Sequence, residues 1–236
     1  MLVLGIETTG PVLSVGLTDG RQPLAETSLY GARIHSVRLL PAIKDLLAAA
    51  GRTCGDLTGV AVSRGPGSFT GLRIGLTVAK TLAQVLSLPA VGVSSLDVLA
   101  YPLTRNGGAA MALVPARRGE VYAALYEGPG EEPVVGPRNM DLAQLLTALA
   151  DIPEGPLLCV GEAAALYAGE LRQALGGRLR LVPPALNHPR GAVVAQLGVE
   201  HLARGEADDP LQLQPVYLRL SAAEMAWQAR CRGEQA

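Results

Sequence analysis

The chain has 236 residues, of which 49% are hydrophobic and 17% charged, and its formal net charge at pH 7 is −1. This length accommodates one large domain or two smaller ones. A near-neutral charge gives no strong attraction to nucleic acid, and an aromatic content of 3% is too low for a base-stacking platform. We therefore expect no direct binding of tRNA or single-stranded DNA by this chain alone.

The cysteines and the N-terminus bear on the compartment. Cys54, Cys159 and Cys231 are odd in number and form no C-x-x-C motif, which is typical of a reducing cytoplasm. The apolar segment 1–6 has no basic residue before it and runs directly into Glu7, so it predicts a strand and not a signal peptide. No apolar run approaches the roughly 18 residues that a membrane helix requires. We expect a cytoplasmic protein without membrane contact.

The first half of the chain predicts a βββαβαβα unit. Residues 13–18 alternate between apolar and small or polar side chains and end at Asp19-Gly20, a hairpin signal. An apolar stripe with a helical period ends at Gly51 and contains Pro41, which predicts a kink or a later helix start. The predicted strands cover 2–8, 13–18, 24–30, 59–62 and 90–93, and the predicted helices cover 34–50, 72–86 and a short segment from Ser95.

The second half repeats this outline, which indicates two copies of one α/β unit facing each other across a cleft. The Pro- and Gly-rich link at 101–108 predicts domains 1–104 and 105–236, with a last helix that can pack back on the first domain. The predicted strands cover 112–114, 121–126, 134–135, 157–160 and 179–182, and the predicted helices cover 141–150, 162–175, 191–203 and a terminal 222–236.

A glycine-rich stretch, 63–75, lies between the strand at 59–62 and the helix at 72–86, with Ser68 as a plausible N-cap. Small residues then recur at every fourth position and so share one helix face. An internal glycine destabilises a helix by about 1 kcal/mol relative to alanine. Two glycines on one face therefore indicate that another group packs closely against the helix backbone there. A second helix of the same domain, a subunit interface and a phosphate are the alternatives. The last is weak, because a Walker loop needs Lys and Ser or Thr after its final Gly. The small-residue positions are Gly67, Gly71, Gly75, Ala79 and Ala83.

The end of the first strand carries Glu7, Thr8 and Thr9. A duplicated unit with an acid and hydroxyls at this point resembles the actin-like ATPase clan, in which they handle phosphates and metal. The resemblance predicts a fold of two tandem ribonuclease H-like domains, each a mixed sheet flanked by helices, and makes these three residues candidate nucleotide ligands. The alternative is that the two threonines merely close the strand with a turn.

No residue set in the sequence predicts catalysis. His35, His188 and His201 do not pair at i and i+4, so no helix presents two imidazoles to a metal. A Gly-x-Ser-x-Gly nucleophile elbow is also missing. We therefore predict neither catalytic residues nor a metal site, which disfavours a metallopeptidase.

Several of these motifs together resemble the TsaB (YeaZ) family, a bacterial branch of the clan related to the TsaD enzymes. Beyond about residue 126 the resemblance is carried only by a closing motif. In TsaD relatives a His-x-x-x-His pair on the helix that begins at His35 binds metal, but the second position is Leu39 here, and Pro115 replaces an Asp found in many relatives. The motifs that carry the resemblance are 4–8, the helix from His35 with Leu40-Pro41, 65–75, 91–96, 117–122 and 215–219.

The resemblance implies a non-catalytic subunit that supports a TsaD-like enzyme, together with a TsaE-like ATPase, in transferring threonylcarbamoyl to the adenosine next to a tRNA anticodon. It implies a homodimer in isolation, contact with tRNA only through the complex, no cofactor on the isolated chain, and ATP only at an interface within the complex. The alternative is a clan ATPase or small-molecule kinase that acts alone.

We predict the partner interface on the two helices that flank the glycine-rich stretch. A partner helix would pack against Gly71, Gly75 and Ala79, and Gly75→Leu is expected to abolish association without unfolding the chain. The predicted interface residues are His35, Leu39, Ile43, Gly67, Phe69, Gly71, Leu72, Gly75, Leu76 and Ala79.

Overall fold

The computed structural model describes residues 1–31, 34–105, 108–128, 133–149, 155–218 and Trp227. The described residues form two five-stranded sheets. The first sheet contains β1 (Val3–Glu7), β2 (Val12–Thr18), β3 (Pro23–Tyr30), β4 (Gly59–Ser63) and β5 (Ala90–Val93). The second contains β6 (Ala109–Pro115), β7 (Glu120–Glu127), β8 (Val135–Asp141), β9 (Leu157–Val160) and β10 (Leu179–Leu181).

Seven α-helices lie in the described part of the chain. They are α1 (His35–Ala49), α2 (Phe69–Leu86), α3 (Ser95–Thr104), α4 (Leu142–Ala148), α5 (Glu162–Leu166), α6 (Ala168–Leu175) and α7 (Gly191–Ala203). Pro41 lies inside α1 without ending it. Ser68 caps α2 by accepting a hydrogen bond from the backbone N–H of Gly71, as the sequence predicts. None of the described helices is long and apolar enough to cross a bilayer.

The two sheets share one topology. Their strand orders are β3-β2-β1-β4-β5 and β10-β9-β6-β7-β8, so each strand of the first sheet has a counterpart five places later in the chain. Within each sheet the first three strands are antiparallel and the last two add in parallel. The prediction of a duplicated mixed sheet flanked by helices is confirmed. We call the sheets with their covering helices the first unit and the second unit.

Side chains along β1 alternate between two buried faces, because successive residues of a strand point to opposite sides. Leu4 and Ile6 belong to the core that α1 and α2 close. Val3 packs on the other side, against Val194 of α7. The helices α1 and α2 thus lie together on one face of the first sheet, and α7 covers the opposite face.

Each sheet is covered on one face by a helix that follows the other sheet in sequence. The helix α3 follows the first sheet in sequence but packs on β6 and β7, whereas α7 follows the second sheet and packs on β1, β2 and β4. Two glycines permit this close packing: a Cβ on Gly5 would lie 2.2 Å from the carbonyl oxygen of Gly191, and one on Gly16 would lie 2.1 Å from the backbone nitrogen of Ala192. The predicted boundary at 104/105 therefore separates the two sheets but not their covering helices.

Some predicted elements differ in detail. The helix predicted at 162–175 is interrupted at Tyr167, whose backbone (φ −105°, ψ 28°) is not helical. The helix predicted from residue 72 begins three residues earlier, at Phe69. The predicted terminal helix at 222–236 lies outside the described residues except for Trp227.

Candidate functional site

The small-residue face of α2 packs against the end of β1 in the same chain. A Cβ on Gly71 would lie 2.0 Å from the carbonyl oxygen of Thr8, and one on Gly75 would lie 2.3 Å from Thr8 Oγ1. The Thr8 hydroxyl donates a hydrogen bond of 2.8 Å to the carbonyl oxygen of Gly71. A third glycine, Gly67, lies equally close to Thr9: a Cβ on Gly67 would lie 2.5 Å from the Thr9 carbonyl oxygen. The glycines therefore let α2 approach its own sheet.

This geometry corrects the predicted interface. A partner helix cannot pack against Gly71, Gly75 and Ala79, because the first sheet already occupies that face, and Gly75→Leu would disturb the fold and not only an assembly. The larger predicted side chains are likewise buried within the chain and belong to its core. These buried side chains are Leu39, Ile43, Leu72 and Leu76, each at most 3% exposed.

The apolar residues that do reach the surface of these helices are different ones. On α1, Val37 and Leu40 are 69% and 60% exposed, and the neighbouring Pro41 is also exposed. On α2, Phe69 is 45% exposed, and it alone of the predicted interface set has a large exposed side chain. The apolar stripe predicted for this helix includes Leu40 with Leu39, Ile43, Leu46, Leu47 and Ala50, and for Leu40 this is wrong. Leu40 is 60% exposed, because it lies about 100° around the helix from Leu39, which faces the core.

The candidate nucleotide ligands at the end of β1 are turned inward. Glu7 is fully buried, and its Oε1 accepts hydrogen bonds from the Thr9 backbone N–H at 2.5 Å and from the Thr9 hydroxyl at 2.6 Å. Its Oε2 accepts one from the Ser63 hydroxyl. Burial raises the pKa of Glu7, and this effect outweighs the hydrogen bonds from Ser63 and Thr9, which lower the pKa. Thr8 is also fully buried, so neither side chain is available to a phosphate or metal. The acid and hydroxyls join β1 to β4 and α2 instead.

A cavity of about 800 Å³ lies between the two units, beside this cluster. Its described lining contains no Lys or Arg to pair with a phosphate. His35 lines it, is 8% exposed, and its Nε2 has no hydrogen-bond partner among the described residues. Burial lowers the pKa of His35, which favours the neutral ring, although a hydrogen bond with the backbone of Gly10 raises the pKa in part. The cavity wall includes Thr9, Ser68, Phe69, Pro115, Tyr122 and Glu162.

Among the described residues, no group of three or more His, Cys, Asp or Glu side chains is placed to hold a metal ion. His35 is followed one turn later by the buried Leu39, and His201 is paired with Glu206 at 2.7 Å near the end of α7. His188 lies near Tyr30, with ring centroids 6.4 Å apart. The three histidines thus occupy separate places in the fold.

Comparison with known proteins identifies the family. The model of the TsaD family, tRNA N6-adenosine threonylcarbamoyltransferase, matches residues 30–227. Over its full length the chain is similar to a differently named relative, the tRNA threonylcarbamoyladenosine biosynthesis protein TsaB of Bacillus subtilis, with 37% identity over 96% of this chain and 98% of that protein. The chain belongs to the TsaB (YeaZ) family. The full-length similarity decides between the two names, because the TsaD model describes a related family.

Solved structures agree with this assignment. YeaZ from Pseudomonas aeruginosa superposes with a TM-score of 0.74 at 27% identity, covering 92% of this chain and 99% of that one. The ROK hexokinase from Thermus thermophilus superposes with a TM-score of 0.50 at 14% identity, covering 84% of this chain and all of that one, and shows a shared fold only. The predicted fold class, two tandem units of the actin-like ATPase clan, is confirmed.

Proposed function

We propose that this TsaB-family chain serves tRNA threonylcarbamoyladenosine biosynthesis as a non-catalytic subunit that supports a TsaD-like transferase. Its relatives' names support the biosynthetic role. The observation that carries the subunit role is the exposed apolar surface of α1, where Val37 and Leu40 are more than half exposed beside Pro41. Contiguous exposed apolar residues on one helix face mark sites of protein association.

Two features of the residues at the cleft support a non-catalytic role. The acid at the end of β1 is saturated by hydrogen bonds from Thr9 and Ser63, and the described cavity wall offers no cation for a phosphate. Among the described residues His35 has no second imidazole or carboxylate beside it to complete a metal site. The chain is therefore suited to bind and position an enzyme that carries the reacting groups itself.

The remaining partners follow from the same role. We infer that a TsaE-like ATPase joins the complex, that the isolated chain forms a homodimer through the α1 face, and that tRNA is reached only through the complex in the cytoplasm. The net charge of −1 fits weak affinity for free RNA. ATP would bind at this chain only at an interface where a partner supplies the Lys or Arg side chains that the described cavity lining lacks.

The test compares two matched leucines. Leu40 of α1 is 60% exposed and Leu166 of α5, in the second unit, is 62% exposed. Burying a leucine at an interface stabilises it by about 1.5–3 kcal/mol, so Leu40→Asp should weaken binding to the TsaD-like subunit of the same organism by roughly 10- to 100-fold. Leu166→Asp should leave the affinity unchanged. Biolayer interferometry measures both. Equal affinities for the two variants and the natural chain would show that α1 is not the binding face.

The alternative, an ATPase or kinase that acts alone, is tested on the purified chain. Titration with ATP and Mg²⁺ in a calorimeter should give no saturable heat, because Glu7 and Thr8 are enclosed by their own chain. Micromolar binding together with ATP turnover by the lone chain would favour the alternative.

A further inference from the structure

A second cavity, of about 540 Å³, is lined by residues of α3 and α7, the two helices that each cover the sheet of the other unit. We call it the helix cavity. It is separate from the cavity beside His35, because the two have no described lining residue in common. Its volume lies in the range of pockets that hold small molecules.

Much of the helix cavity has an apolar or aromatic wall. Both units contribute to it, since Tyr126 belongs to β7 and Leu197 to α7. Small-molecule pockets are typically apolar surfaces with a few polar groups that fix the orientation of the ligand. This wall is therefore suited to the apolar part of a small molecule. Its apolar and aromatic members are Pro66, Ala100, Tyr101, Tyr126, Leu197 and Val216.

Six side chains of Asp, Glu, His or Arg lie in the described lining of the helix cavity, and four of them are already paired. Glu206 accepts two hydrogen bonds of 2.8 Å from Arg204 and lies 2.7 Å from His201 Nδ1. Glu200 forms an ion pair with Arg105. These charges are balanced within the chain and leave the remaining two to be explained.

The remaining two, Asp97 and Arg64, have no ion-pair partner within 4 Å among the described residues. The Asp97 carboxylate accepts hydrogen bonds from two neutral hydroxyl groups, those of Tyr126 at 2.5 Å and of Ser94. Burial raises the pKa of Asp97, and of the effects that lower this pKa the charge of Arg64 is the smallest. A cation close to the carboxylate would therefore stabilise its charged form.

The Arg64 side chain is held in place by packing and not by an ion pair. A Cβ on Gly92 would lie 2.7 Å from Arg64 Cδ and 3.4 Å from its Cγ, so the glycine lets the side chain lie against β5. The Arg64 backbone is fixed on both sides: its N–H donates to the carbonyl oxygen of Val93 at 2.9 Å, and its own carbonyl oxygen accepts from the Val216 N–H at 2.7 Å. A cation positioned in this way loses little entropy when it binds an anion.

We propose that the helix cavity binds a small zwitterion, a free amino acid with an apolar side chain, whose ammonium group pairs with Asp97 and whose carboxylate pairs with Arg64. A ligand with a single charge would leave one of these two groups without a partner, whereas a zwitterion supplies both partners and adds no net charge. The apolar side chain of the ligand would lie against the apolar and aromatic wall. This site is independent of the subunit role, so the failure of either proposal leaves the other standing.

The experiment is isothermal titration calorimetry of the purified full chain with three ligands that share one side chain. They are L-phenylalanine, N-acetyl-L-phenylalanine, which lacks the ammonium group, and L-phenylalaninamide, which lacks the carboxylate. L-phenylalanine should give a saturable heat. Each of the other two should bind roughly 10- to 100-fold more weakly, because each lacks one hydrogen-bonded contact between charged groups.

Two variants assign the contacts to residues. Arg64→Met should remove the preference for L-phenylalanine over its amide and keep the preference over the N-acetyl derivative. Asp97→Asn, which retains an oxygen for the Tyr126 hydroxyl, should do the reverse. Arg172→Met on α6, outside the helix cavity, is the control and should bind like the natural chain. Unfolding midpoints are recorded for all variants, and the ligand series on the natural chain remains decisive if a variant does not fold.

Three outcomes would overturn the proposal. The first is the absence of a saturable heat with L-phenylalanine. The second is equal affinity of the natural chain for all three ligands, which would reduce the site to an apolar contact. The third is an equal loss of affinity for all three ligands in both folded variants, which would mean that Asp97 and Arg64 shape the cavity without contacting the charges of the ligand.

Discussion

The contact between Gly75 and Thr8 allows a quantitative test of how α2 is seated. A Cβ at Gly75 would lie 2.3 Å from Thr8 Oγ1, and its next neighbours, Thr8 Cβ and Ile6 Cγ2, lie at ordinary distances of 3.5 and 3.6 Å. The hydroxyl oxygen is thus the one atom in the way. That oxygen also donates the buried hydrogen bond to Gly71.

We expect Gly75→Ala to destabilise the chain by about 2 kcal/mol. Displacing the Thr8 hydroxyl lowers the free energy of unfolding by about 2 kcal/mol through overpacking and by about 1 kcal/mol through the weakened hydrogen bond to Gly71. The higher helix propensity of alanine raises it by about 1 kcal/mol. In a Thr8→Ala background the obstructing oxygen is absent, so the same substitution should stabilise by up to about 1 kcal/mol. The coupling energy between the two sites is then about 3 kcal/mol, well above the additivity error of distant sites.

The assay is equilibrium urea unfolding of the natural chain, the two single variants and the double variant, followed by circular dichroism. A neutral or stabilising effect of Gly75→Ala in the natural background would refute the reasoning, since the face would then be open as the sequence alone suggested. A destabilisation of equal size in both backgrounds would place the obstruction in the backbone and not in the Thr8 hydroxyl.

Three further predictions concern neighbouring features. Because burial raises the pKa of Glu7, the folded chain holds its proton more tightly than the unfolded chain, so stability should fall as pH rises from about 4.5 through the raised folded pKa. In Glu7→Gln this part of the pH dependence should disappear, which urea midpoints between pH 4 and pH 8 measure; identical pH profiles would contradict it. Ser68→Ala removes the α2 cap and should cost about 1 kcal/mol by urea unfolding, whereas an unchanged midpoint would mean that the cap is dispensable. Gly16→Ala places a methyl group 2.1 Å from the backbone of α7 and should lower the thermal midpoint markedly more than alanine at Gly10, where a Cβ meets nothing within 4 Å; equal midpoints would speak against tight α7 packing.

The architecture was readable from the sequence, but the use of the small residues was not. Alternation and helical periodicity are local properties, so the duplicated unit and the cap at Ser68 follow from short windows. The row Gly67, Gly71, Gly75 signals close approach, yet its spacing does not identify the approaching backbone. The approaching groups belong to Thr8 and Thr9, some sixty residues earlier in the chain: their carbonyl oxygens meet Gly71 and Gly67, and the Thr8 hydroxyl meets Gly75.

The candidate site shows the same limit. The resemblance to the clan makes Glu7 and Thr8 candidate ligands of a nucleotide, with a simple strand-closing turn as the alternative, and in the structure Ser63 and Gly71 satisfy their hydrogen bonds within the chain. Phe69 was predicted as an interface residue and is exposed, although its contact with Tyr217 joins positions 148 residues apart and leaves no mark on local sequence. Exposure depends on which side of a helix meets the core, and that is settled only by tertiary packing.

The exchange of α3 and α7 makes the molecule a single indivisible body. A fragment ending at residue 104 would retain the first sheet but lack the helix that covers Val3, Gly5 and Gly16, and would carry α3 with no sheet beneath it. Such a fragment should aggregate through its uncovered sheet. The complementary fragment should also aggregate, because it lacks α3, which packs on β6 and β7. We therefore expect that neither half folds when it is expressed alone.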